Sequence, residues 1–423
     1  MSADEVELEI VRLGAEGDGI AETPEGPLFV PFTLPGERVA AIVEGDRGRL
    51  VSVRRASDDR VQPICRHFQA CGGCAAQHMS AETIARWRRE TIAEAFRHRG
   101  LEVEIAPLFT VPLGSRRRAF LGVERHAGAV TIGFREESRH TLVDIAECPV
   151  LAPEIVAALP RLREMAAVAM REEEGGRLVV TRLDAGLDVA FDNGRKNLAP
   201  EALAQLAALA GGAGLARLTV AGEPVAEWAS PTLTIGGVAV SYAQGLFLQA
   251  AAEAEQRLVE LVMAALPRKA RRVGDLFSGV GTFTFPLARQ VEVSAFDGDR
   301  RAIAALTEAL RHAQGLKPVA ARQRDLFREP LSRKEIDGFD MVVLDPPRAG
   351  AKAQAEALAK SDVPVVVAVS CNPATLARDA RILVDGGYGM GPVTPIDQFL
   401  FSAHVEAVVV FGRPQPPASR RQT

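Results

Sequence analysis

The chain has no long uncharged apolar run. The longest uncharged stretch of its 423 residues, Trp228 to Ala252, is interrupted by Pro231, Gly236, Gly237, Gly245 and several polar residues, which excludes a bilayer-spanning helix. Its first residues, Met1-Ser-Ala-Asp-Glu5, have neither the basic start nor the apolar segment of a secretory signal, so a cytoplasmic protein is expected. Cysteine is scarce, with five residues, and disulfides are disfavoured in that compartment. A dominant charge sign is also missing: 50 Lys and Arg face 54 Asp and Glu, for a net −4. No internal repeat is present. The charged fraction of 25% and hydrophobic fraction of 47% are those of a soluble globular protein, and the length calls for two or three domains.

Divided along the chain, the charge is uneven. Arg47 to Arg118 holds 14 Arg and 7 Asp or Glu, a local +7 that leaves −11 elsewhere. Arg86, Arg88, Arg89 and Arg116-Arg117-Arg118 therefore read as a patch that could hold phosphates, with ordinary solvated charge as the bland alternative. Residues 5 to 55 alternate apolar and polar residues in short bursts between glycine-bearing turns, the pattern of a small β-barrel of oligonucleotide-binding size. Ser80 caps an expected helix from Ala81 to Arg99, which Gly100 stops. Residues 106 to 240 read as mixed strands and alanine-rich helices.

From Ala251 the pattern changes to alternating helix and apolar strand, which predicts a doubly wound parallel sheet. The turn at Gly279-Val-Gly281 joins a strand to a helix, but Thr284 stands where a dinucleotide fold would have its third glycine. A pyrophosphate ligand is thus disfavoured. Asp297 ends the next strand, where a carboxylate can take both ribose hydroxyls, and an adenosine without phosphate, S-adenosylmethionine above all, fits. Asp345 follows a third apolar strand, so Asp275, Asp297 and Asp345 are expected near one sheet edge. Cys371 lies between the strand Val363 to Ser370 and a helix beginning at Pro373, where amide dipoles would favour a thiolate. Taken singly, Cys371 could be an inert buried cysteine, and Glu406 an edge-strand charge that resists aggregation.

Cys65, Cys71 and Cys74 have the spacing C-x5-C-x2-C, and Cys148 lies downstream. Four clustered thiols make a metal site, and spacing alone leaves zinc and a [4Fe-4S] cluster both open.

In Asp345-Pro-Pro-Arg348, Ser370-Cys-Asn-Pro-Ala-Thr-Leu-Ala-Arg-Asp379, Asp397-Gln-Phe399 with His404-Val-Glu406, and Phe247-Leu-Gln249, the chain resembles the S-adenosylmethionine-dependent RNA uracil-5-methyltransferases, specifically the iron-sulfur-containing branch that modifies 23S ribosomal RNA. The resemblance covers most of the chain. It implies Cys371 as nucleophile, Glu406 as general base, and Gln249, Phe277, Gly279, Asp297, Asp325 and Asp345 as residues binding the cosubstrate or nearby base. It also favours a [4Fe-4S] cluster on Cys65, Cys71, Cys74 and Cys148 over zinc, and an N-terminal TRAM domain. Two departures stand out: Phe277-Ser278-Gly279 replaces the family's Phe-Cys-Gly, and His312-Ala-Gln-Gly-Leu316 replaces an asparagine-rich turn.

The implied fold is α/β: a TRAM-like barrel (1–55), a mixed α+β central domain with the cysteine site (56–240), a Rossmann-like methyltransferase domain (241–412) and a disordered tail (413–423). The implied chemistry adds the Cys371 thiolate to carbon 6 of a uracil in 23S ribosomal RNA. Carbon 5 then takes the methyl group, and Glu406 removes its proton so that elimination frees the cysteine. The rivals are a tRNA uracil-5-methyltransferase and a non-catalytic iron-sulfur RNA-binding factor. A monomer with no obligate protein partner and no membrane is expected.

Overall fold

The computed structural model describes residues 5–136 and 141–413, so the expected tail lies outside the described residues except for Arg413. Six strands open the chain: β1 (Glu5–Glu9), β2 (Arg12–Leu13), β3 (Gly19–Thr23), β4 (Gly26–Val30), β5 (Arg38–Glu44) and β6 (Arg47–Arg55), hydrogen-bonded in the order β1-β5-β6-β4-β3-β2. β1 pairs with β5 and β2 with β3, so one nearly continuous stretch of chain supplies both edges of the sheet. Leu8, Ile10, Ala21, Val30, Val39 and Ala41 fill its interior.

Helix α1 (Ala81–Arg97) starts where Ser80 accepts the Thr83 N–H at 3.2 Å. Its apolar positions fall on one face, and Ile92 and Phe96 are buried with Leu376 and Leu383 of the C-terminal unit. The short strand β7 (Phe109–Thr110) follows.

A seven-stranded sheet comes next, formed by β8 (Arg118–His126), β9 (Ala129–Arg135), β10 (Leu142–Asp144), β11 (Glu174–Leu183), β12 (Gly186–Phe191), β13 (Leu215–Val220) and β14 (Glu223–Glu227), in the order β10-β9-β8-β11-β12-β13-β14. Helices α2 (Pro153–Ala169) and α3 (Pro200–Gly211) pack on one face of it, burying Leu121, Val123, Val180, Leu162 and Met165. The hairpin β15 (Thr232–Ile235) and β16 (Val238–Ser241) leads to α4 (Ala252–Ala264).

The last unit runs β17 (Arg272–Leu276), α5 (Thr284–Ala288), β18 (Glu292–Asp297), α6 (Arg300–His312), β19 (Val319–Gln323), α7 (Arg333–Ile336), β20 (Met341–Leu344), α8 (Lys352–Ala359), β21 (Val365–Ser370), α9 (Pro373–Asp385), β22 (Gly389–Asp397) and β23 (Glu406–Gly412). Its sheet order is β19-β18-β17-β20-β21-β23-β22-β7. The expectation of a parallel sheet holds from β19 to β21 and again for the β22–β7 pair, but β23 runs antiparallel to both β21 and β22. The short link between β22 and β23 forces this: a parallel return needs a crossover of a dozen or more residues. Val365 to Val369 form a near-continuous β-branched run, as a strand covered on both faces requires. Strand order reverses at β17, so the loops after β17 and β20 open a crevice at their carboxyl ends. No helix among the described residues is long and apolar enough to cross a membrane.

Candidate active site

That crevice is a cavity of about 420 Å³. Every expected catalytic and cosubstrate residue lines it: Cys371, Glu406, Gln249, Phe277, Gly279, Asp297, Asp325 and Asp345. These residues come from seven separate strand ends or loops, which is why no contiguous segment of sequence contains the site. Asp275, expected at the same edge, is fully buried within β17 and does not line the cavity. It accepts the Thr284 hydroxyl at 2.5 Å, and burial, followed by a smaller effect from Asp297, pushes its carboxyl up to about 7.

Strand register brings Cys371 towards Glu406. Ser370 of β21 is paired with Ala407 of β23, so one further step along the antiparallel ladder puts Cys371 opposite Glu406. Side chains facing each other in this way have Cβ atoms about 5 Å apart. The turn carrying Cys371 is fixed on both sides. Ser370 Oγ accepts the Asn372 N–H at 3.2 Å, Asn372 Nδ2 donates to the Arg348 carbonyl at 3.1 Å, and Asn372 Oδ1 accepts the Ala374 N–H at 3.1 Å.

The expected thiolate is not favoured in the unliganded cavity. Burial, then the Glu406 and Asp345 carboxylates, push the Cys371 thiol up to about 11, against a smaller downward pull from Arg348. The helix dipole does not prevail, because Asn372 is the cap of α9 and its own side chain takes the leading amide, leaving Cys371 outside the first turn. Burial pushes Glu406 up to about 7, with the Gln398 hydrogen bond acting in the opposite sense. Asp345 is raised well above the ordinary carboxylate range, chiefly by burial and then by Glu406.

The glycine turn closes the other end. Gly279 and Gly281 have φ of 55° and 106°, and a Cβ at Gly281 would come within 2.6 Å of Phe285. One at Gly279 would meet no protein atom, so the cavity wall stays open there. Phe277, a bulky residue, also has a positive φ of 63°, a strained conformation of the kind that gathers at ligand sites. Asp297 is anchored by the Gly279 N–H at 2.8 Å and the Asp299 N–H at 2.7 Å. Asp325 accepts the Phe327 N–H at 3.0 Å, and the Phe327 ring packs on Phe277 with centroids 5.4 Å apart.

Cys65, Cys71, Cys74 and Cys148 meet at a second cavity of about 290 Å³, which shares Phe399 with the first. Burial pushes the Cys74 thiol up to about 12, and Cys148, Cys71 and Cys65 each add to the rise. Among the described residues, no three His, Cys, Asp or Glu side chains stand close enough to hold a single metal ion.

The expected arginine patch is largely structural. Arg88 is buried against Asp397 at 3.4 Å and donates to the Ser402 carbonyl. Arg117 pairs with Glu255 at 2.5 Å, and Arg116 faces the cysteine cavity. Arg86 pairs with Asp59 at 2.7 Å, while Arg89 donates to the Ile105 carbonyl at 2.9 Å. Arg118 alone of the triplet reaches the outer face of the central sheet, its guanidinium 4.6 Å from the ring centre of the exposed Phe120.

The 23S rRNA (uracil(1939)-C(5))-methyltransferase RlmD of Halomonas elongata is 35% identical to this chain, over 98% of it and 91% of that protein. The chain belongs to the RNA uracil-5-methyltransferase family. A family model described as tRNA (Uracil-5-)-methyltransferase matches residues 224–413. An uncharacterized RNA methyltransferase of Mesorhizobium japonicum is 47% identical over 96% of this chain and 98% of its own length. The crystal structure of the Pyrococcus abyssi tRNA (uracil-54, C5)-methyltransferase in complex with S-adenosyl-L-homocysteine superposes with a TM-score of 0.76 at 25% identity, covering 96% of this chain and 99% of that one. This protein is therefore an RNA uracil-5-methyltransferase, with the α/β fold of that enzyme class.

Five further residues of this family member went unassigned at the sequence level: Phe247, Phe327, Arg348 and Phe399, all in the cavity wall, and Gln398 behind it. Phe247, Arg348, Gln398 and Phe399 sit inside the quoted motifs, so that signal was present. Phe327 had none, since only folding sets it on Phe277.

Proposed function

We propose that the enzyme transfers a methyl group from S-adenosylmethionine to carbon 5 of a uridine in 23S ribosomal RNA, through a covalent bond between Cys371 and carbon 6. The observation that carries this reading is that Cys371 and Glu406, each next to a member of the Ser370–Ala407 pair, line one cavity with the acidic residues Asp297, Asp325 and Asp345. Asp297, Asp299, Asp325, Asp345 and Glu406 line that cavity, against Arg348 as its one basic lining residue among the described residues. Such a wall favours a cationic ligand. A sulfonium would offset the two carboxylates that add to burial in raising the Cys371 thiol, so the thiolate is better favoured after the donor binds. Asp297, with both oxygens held by backbone amides, is oriented to take ribose hydroxyls. Phe277, Gly279 and Asp325 border the purine end, and Gln249 and Asp345 the methyl end.

For the RNA, the outer face of the central sheet presents Phe120, 45% exposed, with the guanidiniums of Arg118 and Arg177 4.6 and 5.7 Å from its ring centre. Arg118 also donates to the Gly245 carbonyl at 3.2 Å, two residues before Phe247, which is 64% exposed at the cavity mouth. An aromatic ring flanked by arginines suits a stacked base, and the path leads to the nucleophile. Replacing Phe120 with alanine should weaken RNA binding by about tenfold, in line with stacking energies of about 1–3 kcal/mol per base, and leave cosubstrate affinity unchanged. Fluorescence anisotropy with labelled RNA measures this.

The N-terminal sheet supports a TRAM-like RNA-binding barrel, since β1 and β2 form nearly one strand pairing at both edges. For the cysteine site, the [4Fe-4S] reading is favoured over zinc. Thiols that raise one another's proton affinity call for a cation, and a cavity of about 290 Å³ exceeds the need of one ion bound at about 2.3 Å. Cys65, Cys71, Cys74 and Cys148 would hold the cluster, with the Arg116 guanidinium offsetting its charge. Methyl transfer requires no electron, so the part played there is structural. Protein purified without air should carry about four iron atoms per chain by elemental analysis; zinc in their place would redirect the assignment.

The Pyrococcus abyssi likeness favours one second reading, a transfer RNA substrate. Mapping 5-methyluridine in ribosomal and transfer RNA from cells with and without this protein decides between them.

A further inference from the structure

Gln398 is 1% exposed, yet its side-chain amide is fully engaged. Its Oε1 accepts the Ala250 N–H at 3.0 Å, while its Nε2 donates to Glu406 Oε2 at 2.8 Å and to Gln249 Oε1 at 2.9 Å. Gln249, 2% exposed, continues the chain by donating from Nε2 to Asp345 Oδ2 at 3.1 Å. The polarity is forced. A backbone N–H only donates, so the carbonyl end of Gln398 must face Ala250 and its NH2 end must face the two acceptors. Gln249 Oε1 is then occupied as an acceptor, and its own NH2 turns to Asp345. Flipping either amide would set oxygen against oxygen.

Gln398 does not line the cavity; it stands behind Gln249 and Glu406, one residue after Asp397, which the buried Arg88 fixes. Among the described residues, the Glu406 carboxylate accepts its side-chain hydrogen bond from Gln398. We propose that Gln398 is a positioning residue that keeps the Glu406 carboxylate ionised and aimed at carbon 5, and that through Gln249 it ties this base to Asp345 on the donor side.

The inference rests on reading Glu406 as the base. In that step Glu406 takes the carbon 5 proton, the C–H electron pair becomes the bond between carbons 5 and 6, and the carbon–sulfur bond breaks with its pair returning to Cys371 as thiolate. A hydrogen bond donated to an ionised carboxylate favours the ionised form, so loss of the donor moves the base's action to higher pH.

Two variants test this. Gln398→Met keeps length and bulk without polarity, and Gln398→Glu keeps an oxygen for Ala250 without the N–H. Each is compared with the unaltered enzyme in single-turnover reactions from pH 6 to 9, on 23S ribosomal RNA from cells lacking the protein. Release of methylated RNA at pH 7 should slow by about tenfold, with most of the loss recovered at pH 9 and a protein-RNA adduct accumulating on denaturing gels. Affinity for S-adenosylhomocysteine should stay within about threefold, which also reports folding; if Gln398→Met loses it, Gln398→Glu decides. A loss uniform across pH, or an unchanged profile, overturns the proposal. Glu406→Gln run alongside separates the two readings. If that variant neither slows release nor traps adduct, the base assignment fails and takes this inference with it. If it traps adduct while both Gln398 variants keep the unaltered profile, the Gln398 role alone is overturned.

Discussion

Replacing Cys371 with alanine should lower methyl transfer to RNA by about 10⁴-fold or more, because no other group in the cavity can add to carbon 6 and turn carbon 5 into a nucleophile. Each factor of ten corresponds to about 1.4 kcal/mol of lost transition-state stabilisation. Cosubstrate affinity should hold, since Asp297, Asp325 and the Gly279 turn lie at the other end of the cavity. Isothermal titration with S-adenosylhomocysteine, beside a radiolabel transfer assay, measures both quantities. Turnover at the unaltered rate would remove the covalent mechanism. The thiol's rise to about 11 adds a second readout. In the free enzyme it should be slow to react with alkylating agents, and binding of the cationic methyl donor should quicken that reaction by offsetting the part that Glu406 and Asp345 add to burial.

Replacing Glu406 with glutamine should instead separate the steps. Addition and methyl transfer proceed, proton removal from carbon 5 fails, and product release slows by about 10²–10⁴-fold, the usual contribution of a positioned base. The stalled species is a covalent protein-RNA adduct, visible as a retarded band under denaturing conditions, and its absence would count against the base assignment. The unaltered enzyme should lose activity on the acid side as Glu406, held near 7 by burial, takes up a proton. The sign follows from the role: the base is competent when ionised, so activity climbs with pH through that value. In Glu406→Gln this limb should vanish from the pH profile.

The motifs around Asp345, Cys371 and Glu406 were legible because each is a contiguous run at a strand end, and that around Gln249 because it is a contiguous run just before α4. The helix at Ala81 was legible for the same reason, through Ser80 and the spacing of Trp87, Ile92 and Phe96. The direction of β23 was missed, since parallel and antiparallel strands read alike when both are buried. Arg88 and Arg117 could not be told from phosphate-binding arginines in the sequence, because charge counted along the chain says nothing of Asp397 or Glu255, which lie far away in sequence. The rise of the Cys371 thiol was not legible either: the cap and the helix are local, whereas burial and then the carboxylates from β23 and the end of β20 come from the tertiary fold.

The order of residues alone determined the groups this protein carries, a thiol, several strand-end carboxylates and a glycine turn, because each depends on a few neighbouring residues. Only the tertiary structure decided how those groups meet and what state they are in. The Ser370–Ala407 register that sets sulfur against carboxylate, the burial that raises both, and the Gln398–Gln249 chain behind them all join residues distant in sequence. Distances and local dielectric are properties of the packed molecule, and no span of the sequence encodes them separately.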